Sequence, residues 1–198
     1  MLFRSYCKVA PHYDYIWFDM QHSTLSFADV EKMIGTCPKA GIPMIRVSDE
    51  LESTLQHATD VGALGIIMPT VDTPEKAMAA VRYSKFPFEG RRSNGMAQAS
   101  RIWGPNYRET ANDNMLIVVM IETPVGVANA YDIARVPGVD VVIDPVAGTY
   151  TVSMDPTGGT DFQPVTSGPL PTDYSDPTNG DVIAGLPPRI TFGFSAST

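Results

Sequence analysis

Asp19, Gln21 and His22 place an acid, an amide and an imidazole within four residues. They close the apolar run Tyr15-Ile16-Trp17-Phe18, whose aromatic and β-branched content reads as a buried strand. An imidazole exchanges protons near neutral pH, and a carboxylate beside it can orient it for that work. Arg46 stands near the end of a second apolar run, and Glu122 ends the strongest one, Met115 to Ile121. A carboxylate there is costly to bury unless it is paired or bound to a metal. If these runs share one end, an acid, a base, a guanidinium and an isolated carboxylate converge. That set suits a small anion held beside a divalent metal. Each residue also has a plainer reading. His22 can cap the following helix or bond a backbone carbonyl, Asp19 can be a turn residue, and Arg46 can pair with Asp49 or Glu50 at the surface. His12 and His57 have no supporting context and receive no role.

The elements that would position these groups follow in a regular order. Ser26 can cap a helix, with Asp29 reaching back to it, and Phe27, Val30, Met33 and Ile34 recur at helical spacing before Pro38 ends the pattern. Pro43 to Val47 reads as a second strand. Leu51, Leu55, Ala58 and Val61 make a second helical stripe, and Leu64 to Pro69 a third strand. Thr73-Pro74-Glu75 starts a third helix, with Ala77, Met78, Ala80 and Val81 on its apolar face. Residues 85–104 read as one long loop with Gly90-Arg91-Arg92 in it, either an anion-binding turn or an exposed one. After the run ending at Glu122, Thr123-Pro124 opens a helix with Val127, Ala130, Ile133 and Ala134 inward, and Val139 to Ile143 is a fifth strand.

Five apolar strands alternating with four amphipathic helices predict parallel βαβ units in an α/β fold. Unbroken apolar strands predict burial on both faces. No Gly-x-Gly-x-x-Gly follows the first strand, which disfavours a dinucleotide-binding sheet and favours part of a (β/α)8 barrel. The division expected is an incomplete barrel domain over residues 1–144 and an irregular or disordered tail over 145–198. That tail carries nearly half of the chain's prolines and glycines, no lysine, and Arg189 as its one basic residue. Within it, Thr149 to Ser153 and Ile190 to Phe194 could be short β segments. A barrel ending at the fifth strand would leave open edges.

A formal net charge of −8 argues against a nucleic-acid partner. No apolar run approaches the roughly 20 residues of a membrane helix, and the first ten residues are too short and mixed for a signal peptide. Cys7 and Cys37 give neither a disulfide framework nor metal-ligand spacing. A reduced, cytoplasmic setting is the expectation.

The ordered series Phe18-Asp19-Met20-Gln21-His22, Met44-Ile45-Arg46-Val47, Gly62 to Pro69, Glu89-Gly90-Arg91-Arg92, Ala99-Ser100-Arg101 and Met120-Ile121-Glu122-Thr123 resembles the HpcH/HpaI aldolase/citrate lyase family, over about residues 11–143. The resemblance implies a (β/α)8 barrel of the pyruvate/phosphoenolpyruvate type. It implies a metal-dependent aldolase that cleaves a 4-hydroxy-2-oxo acid to pyruvate and an aldehyde. A divalent ion, Mg or Mn, would polarise the 2-oxo group. His22 would be the base, and Asp19 would orient it. Arg46 would hold the substrate's oxygens, and Glu122 would be a metal ligand. Two departures stand out. Gln21 replaces a usual Glu. The second metal carboxylate, in a Gly-x-x-Asp-Leu-Ser motif, has no clear counterpart, because Gly148 sits about there and Asp144 falls early. The family's first strand, its last two strands and the C-terminal helices that dock neighbouring subunits also have none. The alternative reading is therefore an inactive, truncated homologue.

Overall fold

The computed structural model describes residues 2–95, 97–143, 149–154 and 163–169. Five strands run parallel in chain order: β1 (Tyr15–Asp19), β2 (Ile42–Arg46), β3 (Gly65–Met68), β4 (Leu116–Met120) and β5 (Val141–Ile143). Helices fill the crossovers. These are α2 (Phe27–Thr36) and α3 (Glu52–Asp60), then α4 (Pro74–Ser84), α5 (Ala97–Trp103) and α6 (Tyr107–Asn114) together between β3 and β4, then α7 (Pro124–Ala128) and α8 (Ala130–Ala134) between β4 and β5. A first helix, α1 (Leu2–Val9), precedes β1.

Strand order without reversal means a singly wound sheet, the arrangement of a (β/α)8 barrel rather than of a doubly wound sheet. The packing agrees. One side of the sheet, Phe18, Ile45, Ile66, Met68, Ile117, Val119 and Val142, joins the helix residues Val30, Ile34, Leu55, Ala58, Ala77, Ala80, Val81 and Ile133 in the main core. The other side, Met44, Ile67, Val118, Met120 and Val141, forms a second apolar layer made of strand residues. Both faces are buried, as unbroken apolar strands require.

Local chemistry starts the helices where the sequence predicts. Ser26 Oγ accepts the Asp29 N–H while Asp29 accepts the Ser26 N–H, a reciprocal cap on α2. Thr73 and Thr123 cap α4 and α7 in the same sense, with Pro74 and Pro124 in the first turn.

Several expectations are corrected. The 85–104 loop is shorter, because α5 begins at Ala97. Gln98 Nε2 donates to the carbonyls of Glu31 and Val61, and Trp103 Nε1 donates to that of Gly62. Those partners are distant in sequence, so no local signal announces the helix. Helix α7 ends at Asn129 and α8 starts afresh, leaving Val127 exposed rather than inward. Met78 also points outward, while Ala77, Ala80 and Val81 carry the buried face of α4. Leu51 is the exposed residue before α3.

Cys7 and Cys37 form a disulfide, with Cα atoms 5.6 Å apart, that ties α1 to the end of α2. Spacing along the chain is no guide to distance in the fold, and the cysteines no longer support a reduced setting. Beyond β5 the sheet continues through an antiparallel pair, β6 (Thr149–Met154) and β7 (Gln163–Pro169), with β6 beside β5. The β5 edge is thus paired rather than open. The short β segment expected over Thr149 to Ser153 coincides with β6, whereas β7 falls where none was expected. Ile190 to Phe194, Asp144 and Gly148 lie outside the described residues.

Candidate active site

Several polar side chains lie at the ends where the parallel strands finish. Asp19 and Arg46 are the last residues of β1 and β2 and sit opposite each other in register. Arg46 Nε donates to Asp19 Oδ1 at 2.9 Å and its Nη2 to Oδ2 at 2.5 Å, a two-pronged pair. The Arg46 side chain is 16% exposed and that of Asp19 30%. Beneath them, Trp17 lies with its ring centre 5.5 Å from the guanidinium carbon. Neither Asp49 nor Glu50 takes Arg46. Asp49 instead accepts from Ser48 and from the Leu51 N–H.

Asp19 also works locally. Its Oδ1 accepts the backbone N–H of Gln21 at 3.0 Å and of His22 at 3.3 Å, while Ser23 Oγ donates to its carbonyl. Partial burial alone pushes the Asp19 carboxyl upward. The Arg46 hydrogen bond, the two N–H groups and the Arg46 charge outweigh it and hold the carboxyl below its ordinary value. His22 is exposed, and its imidazole makes no hydrogen bond among the described residues. The expected contact from Asp19 to the imidazole is thus replaced by contacts to Arg46 and the backbone.

Glu122 follows β4 by two residues. Its Oε2 accepts the Thr70 N–H at 2.8 Å, with Thr70 Oγ1 at 3.4 Å. Thr70 follows β3 and holds φ at +51°, an uncommon conformation for a β-branched residue. Around this pair lies a set of residues the sequence reading missed. Thr123 Oγ1 donates to Asp72 Oδ1 at 2.5 Å, and Asn129 Nδ2 donates to the Asp72 carbonyl at 2.7 Å. Lys76 Nζ reaches the Thr70 carbonyl at 3.2 Å and Asp72 Oδ2 at 3.4 Å. The signal was Thr73-Pro74. It marks a helix start but cannot show that Asp72 faces another loop.

The Gly90-Arg91-Arg92 turn is structural. Arg91 pairs with Glu52 at 2.7 Å. The fully buried Arg92 donates to Asp60 and to the Tyr107 hydroxyl and lies 4.4 Å from the Phe86 ring centre. Gly90 is required because a Cβ there would collide with the Lys85 carbonyl.

The strand ends bring Asp19 and Arg46 into contact and put Glu122 on the same rim, with His22 in the turn after β1. One carboxylate, Glu122, has an oxygen left for a ligand. Among the described residues no three His, Cys, Asp or Glu side chains come together to hold a metal. A hard divalent cation takes several oxygen donors, so the described residues do not by themselves form a site for one. No helix among them is long and apolar enough to cross a membrane.

The family model described as HpcH/HpaI aldolase/citrate lyase matches residues 6–155. A 2-dehydro-3,6-dideoxy-6-sulfogluconate aldolase of Pseudomonas putida is 32% identical over 133 residues, 66% of this chain and 52% of that protein. A 2-keto-3-deoxy-L-rhamnonate aldolase of Salmonella gallinarum is 31% identical over 66% of this chain and 50% of its own length. The chain thus spans about half the length of the curated relatives it matches. Among solved structures, an HpcH/HpaI aldolase/citrate lyase family protein from Burkholderia cenocepacia J2315 superposes with a TM-score of 0.65. It is 28% identical, and the match covers 72% of this chain and 59% of that one. Macrophomate synthase gives a TM-score of 0.64 at 25% identity, over 72% and 52% of the two chains.

Proposed function

Because the chain belongs to the HpcH/HpaI aldolase/citrate lyase family, we propose that it is a carbon–carbon lyase that cleaves a 4-hydroxy-2-oxo acid to pyruvate and an aldehyde. The observation that carries this reading is the Asp19–Arg46 pair at the ends of adjacent strands. Asp19 takes Nε and one side of Nη2, which leaves Nη1 and the remaining Nη2 hydrogen free for the carboxylate and 2-oxo oxygen of a small 2-oxo acid. A bidentate anchor fixes the direction of those donors, so they face the oxygen on which enolate charge develops. His22, exposed beside them, takes the proton of the C4 hydroxyl directly or through water. The C3–C4 bond then breaks, its electron pair passes into the C2 enolate, and the aldehyde leaves. The enolate takes a proton at C3 and becomes pyruvate.

A divalent ion, Mg or Mn, is the cofactor this reading asks for, with Glu122 as its ligand. Among the described residues Glu122 belongs to no group of three His, Cys, Asp or Glu side chains, and a hard cation needs several oxygen ligands. A second reading, a homologue that binds a 2-oxo acid without turning it over, is supported by the sequence, in which Gly148 stands about where a second metal carboxylate is expected.

The experiment measures pyruvate release from a 4-hydroxy-2-oxo acid with added Mg or Mn, for the wild type and for His22→Ala. Turnover that falls by roughly 100-fold or more in the variant supports the lyase, since positioned proton transfer is worth about that much. Absence of turnover in the folded wild type supports the binding-only reading.

A further inference from the structure

Two loops meet beside Glu122, and the bonds between them are more numerous than chain connection requires. The loop after β3 contributes Thr70, Val71 and Asp72. The loop after β4 contributes Glu122, Thr123 and, at the α7–α8 junction, Asn129. Four hydrogen bonds cross between the loops and the end of β4: Thr70 N–H to Glu122, Val71 N–H to the Met120 carbonyl, Thr123 hydroxyl to Asp72, and Asn129 amide to the Asp72 carbonyl. Asp72 takes two of the four, and through Oδ2 it also holds Lys76, whose Nζ bonds the Thr70 carbonyl. The result fixes Thr70 at φ +51°. A β-branched residue rests there only when its surroundings over-determine it. The left-handed turn aims the Thr70 N–H at the Glu122 carboxylate.

We propose that Asp72 is a positioning residue for Glu122, acting through the Thr123 hydroxyl to set the direction of that carboxylate. This rests on the reading of Glu122 as a group of the lyase site. Asp72 itself touches no reacting atom. Its carboxylate is held ionised and below its ordinary pKa chiefly by the Thr123 hydroxyl, against some burial and with help from Lys76. An acceptor in place is therefore what the two loops need, and the negative charge serves Lys76 alone. Asparagine offers Thr123 the same kind of oxygen, whereas alanine offers none.

The test compares Asp72→Ala with Asp72→Asn in two measurements, steady-state cleavage and amide hydrogen exchange at Thr70. Asp72→Ala is expected to lower kcat by roughly 10- to 100-fold, because a small misplacement of a group in the site costs about that much, with KM within about 2-fold because Arg46 is untouched. Its Thr70 amide is expected to exchange at least about 10-fold faster as the loop opens locally. Asp72→Asn is expected to stay within about 3-fold of the wild type in both. Wild-type kcat in Asp72→Ala overturns the inference, as does an Asn variant as impaired as the Ala variant, or unchanged Thr70 exchange. An inactive wild type sinks the proposed lyase. In that case the Thr70 exchange still decides whether Asp72 holds the Glu122 bond.

Discussion

Arg46 pairs with Asp19 in the fold, whereas the sequence offered it two nearby carboxylates, Asp49 and Glu50, and assigned Asp19 to His22. Register decides between them, since residues facing across adjacent strands lie about 5 Å apart, and Asp19 is the residue opposite Arg46. The pairing carries a pH dependence. The Asp19 carboxyl titrates below its ordinary value in the folded chain. Its stabilisation is therefore present above the unfolded carboxylate pKa and is lost as pH falls through the lowered folded one. Asp19→Asn is expected to unfold more easily than the wild type at neutral pH. The gap should narrow as denaturation is repeated at pH values below the ordinary carboxylate range and close once the pH has fallen through the lowered native value. A constant gap across that range would contradict the pairing. At this scale the types Asp19, His22, Arg46 and Glu122 were legible, and their partners were not. Thr70 and Asp72 went unnoticed because neither chemistry nor spacing marks a residue whose partner is a loop some fifty positions away.

Helices that carry their own start signals were legible too. The Ser26/Asp29 reciprocal cap and the Thr-Pro starts of α4 and α7 are local events. Helices α5 and α6 are short and lean on distant backbone carbonyls or on a core built by other elements, so α5 reads as loop and α6 carries no element signal of its own. The Cys7–Cys37 bond ties helix α1 to the end of α2. Closing a loop of that size is worth about 3.5 kcal/mol on the chain-entropy account. A dithiol reductant is expected to lower the melting temperature of the wild type measurably. The Cys7→Ser/Cys37→Ser double variant should melt at that lower temperature and show no response to the reductant. Equal melting of oxidised and reduced wild type would show that α1 is held by packing, for instance Tyr6 against Phe18, and not by the bond.

At the scale of the described residues, the five parallel strands carry helices on one side and a second apolar layer on the other, with an antiparallel pair beyond β5. One charged group sits badly there. Asp140 precedes β5, and its Oδ2 accepts the Ile117 N–H at 2.7 Å at the start of β4. Burial raises its carboxyl above the ordinary value, the Ile117 N–H and Lys85 offsetting this in part. A folded pKa above the unfolded one gives stability that is complete below the unfolded value and lost as pH rises through the folded value. Asp140→Asn keeps an acceptor for Ile117 and removes the buried charge. The variant is expected to melt higher than the wild type at neutral pH, with the advantage shrinking in acid. A lower melting temperature at neutral pH would mean that the charge of Lys85 matters more than the burial.

Periodicity and caps are local quantities, so the sequence by itself determined the alternation of strands and helices, the parallel sheet they imply and the end of it at which reactive side chains collect. The ordered motifs determined the family. Which carboxylate meets which cation, which cysteine meets which, and which loop steadies Glu122 were decided by tertiary structure alone. Those contacts join positions 27 to 57 residues apart. Only the register of the strands and the packing of the helices bring such positions within the 3 Å at which a hydrogen bond forms.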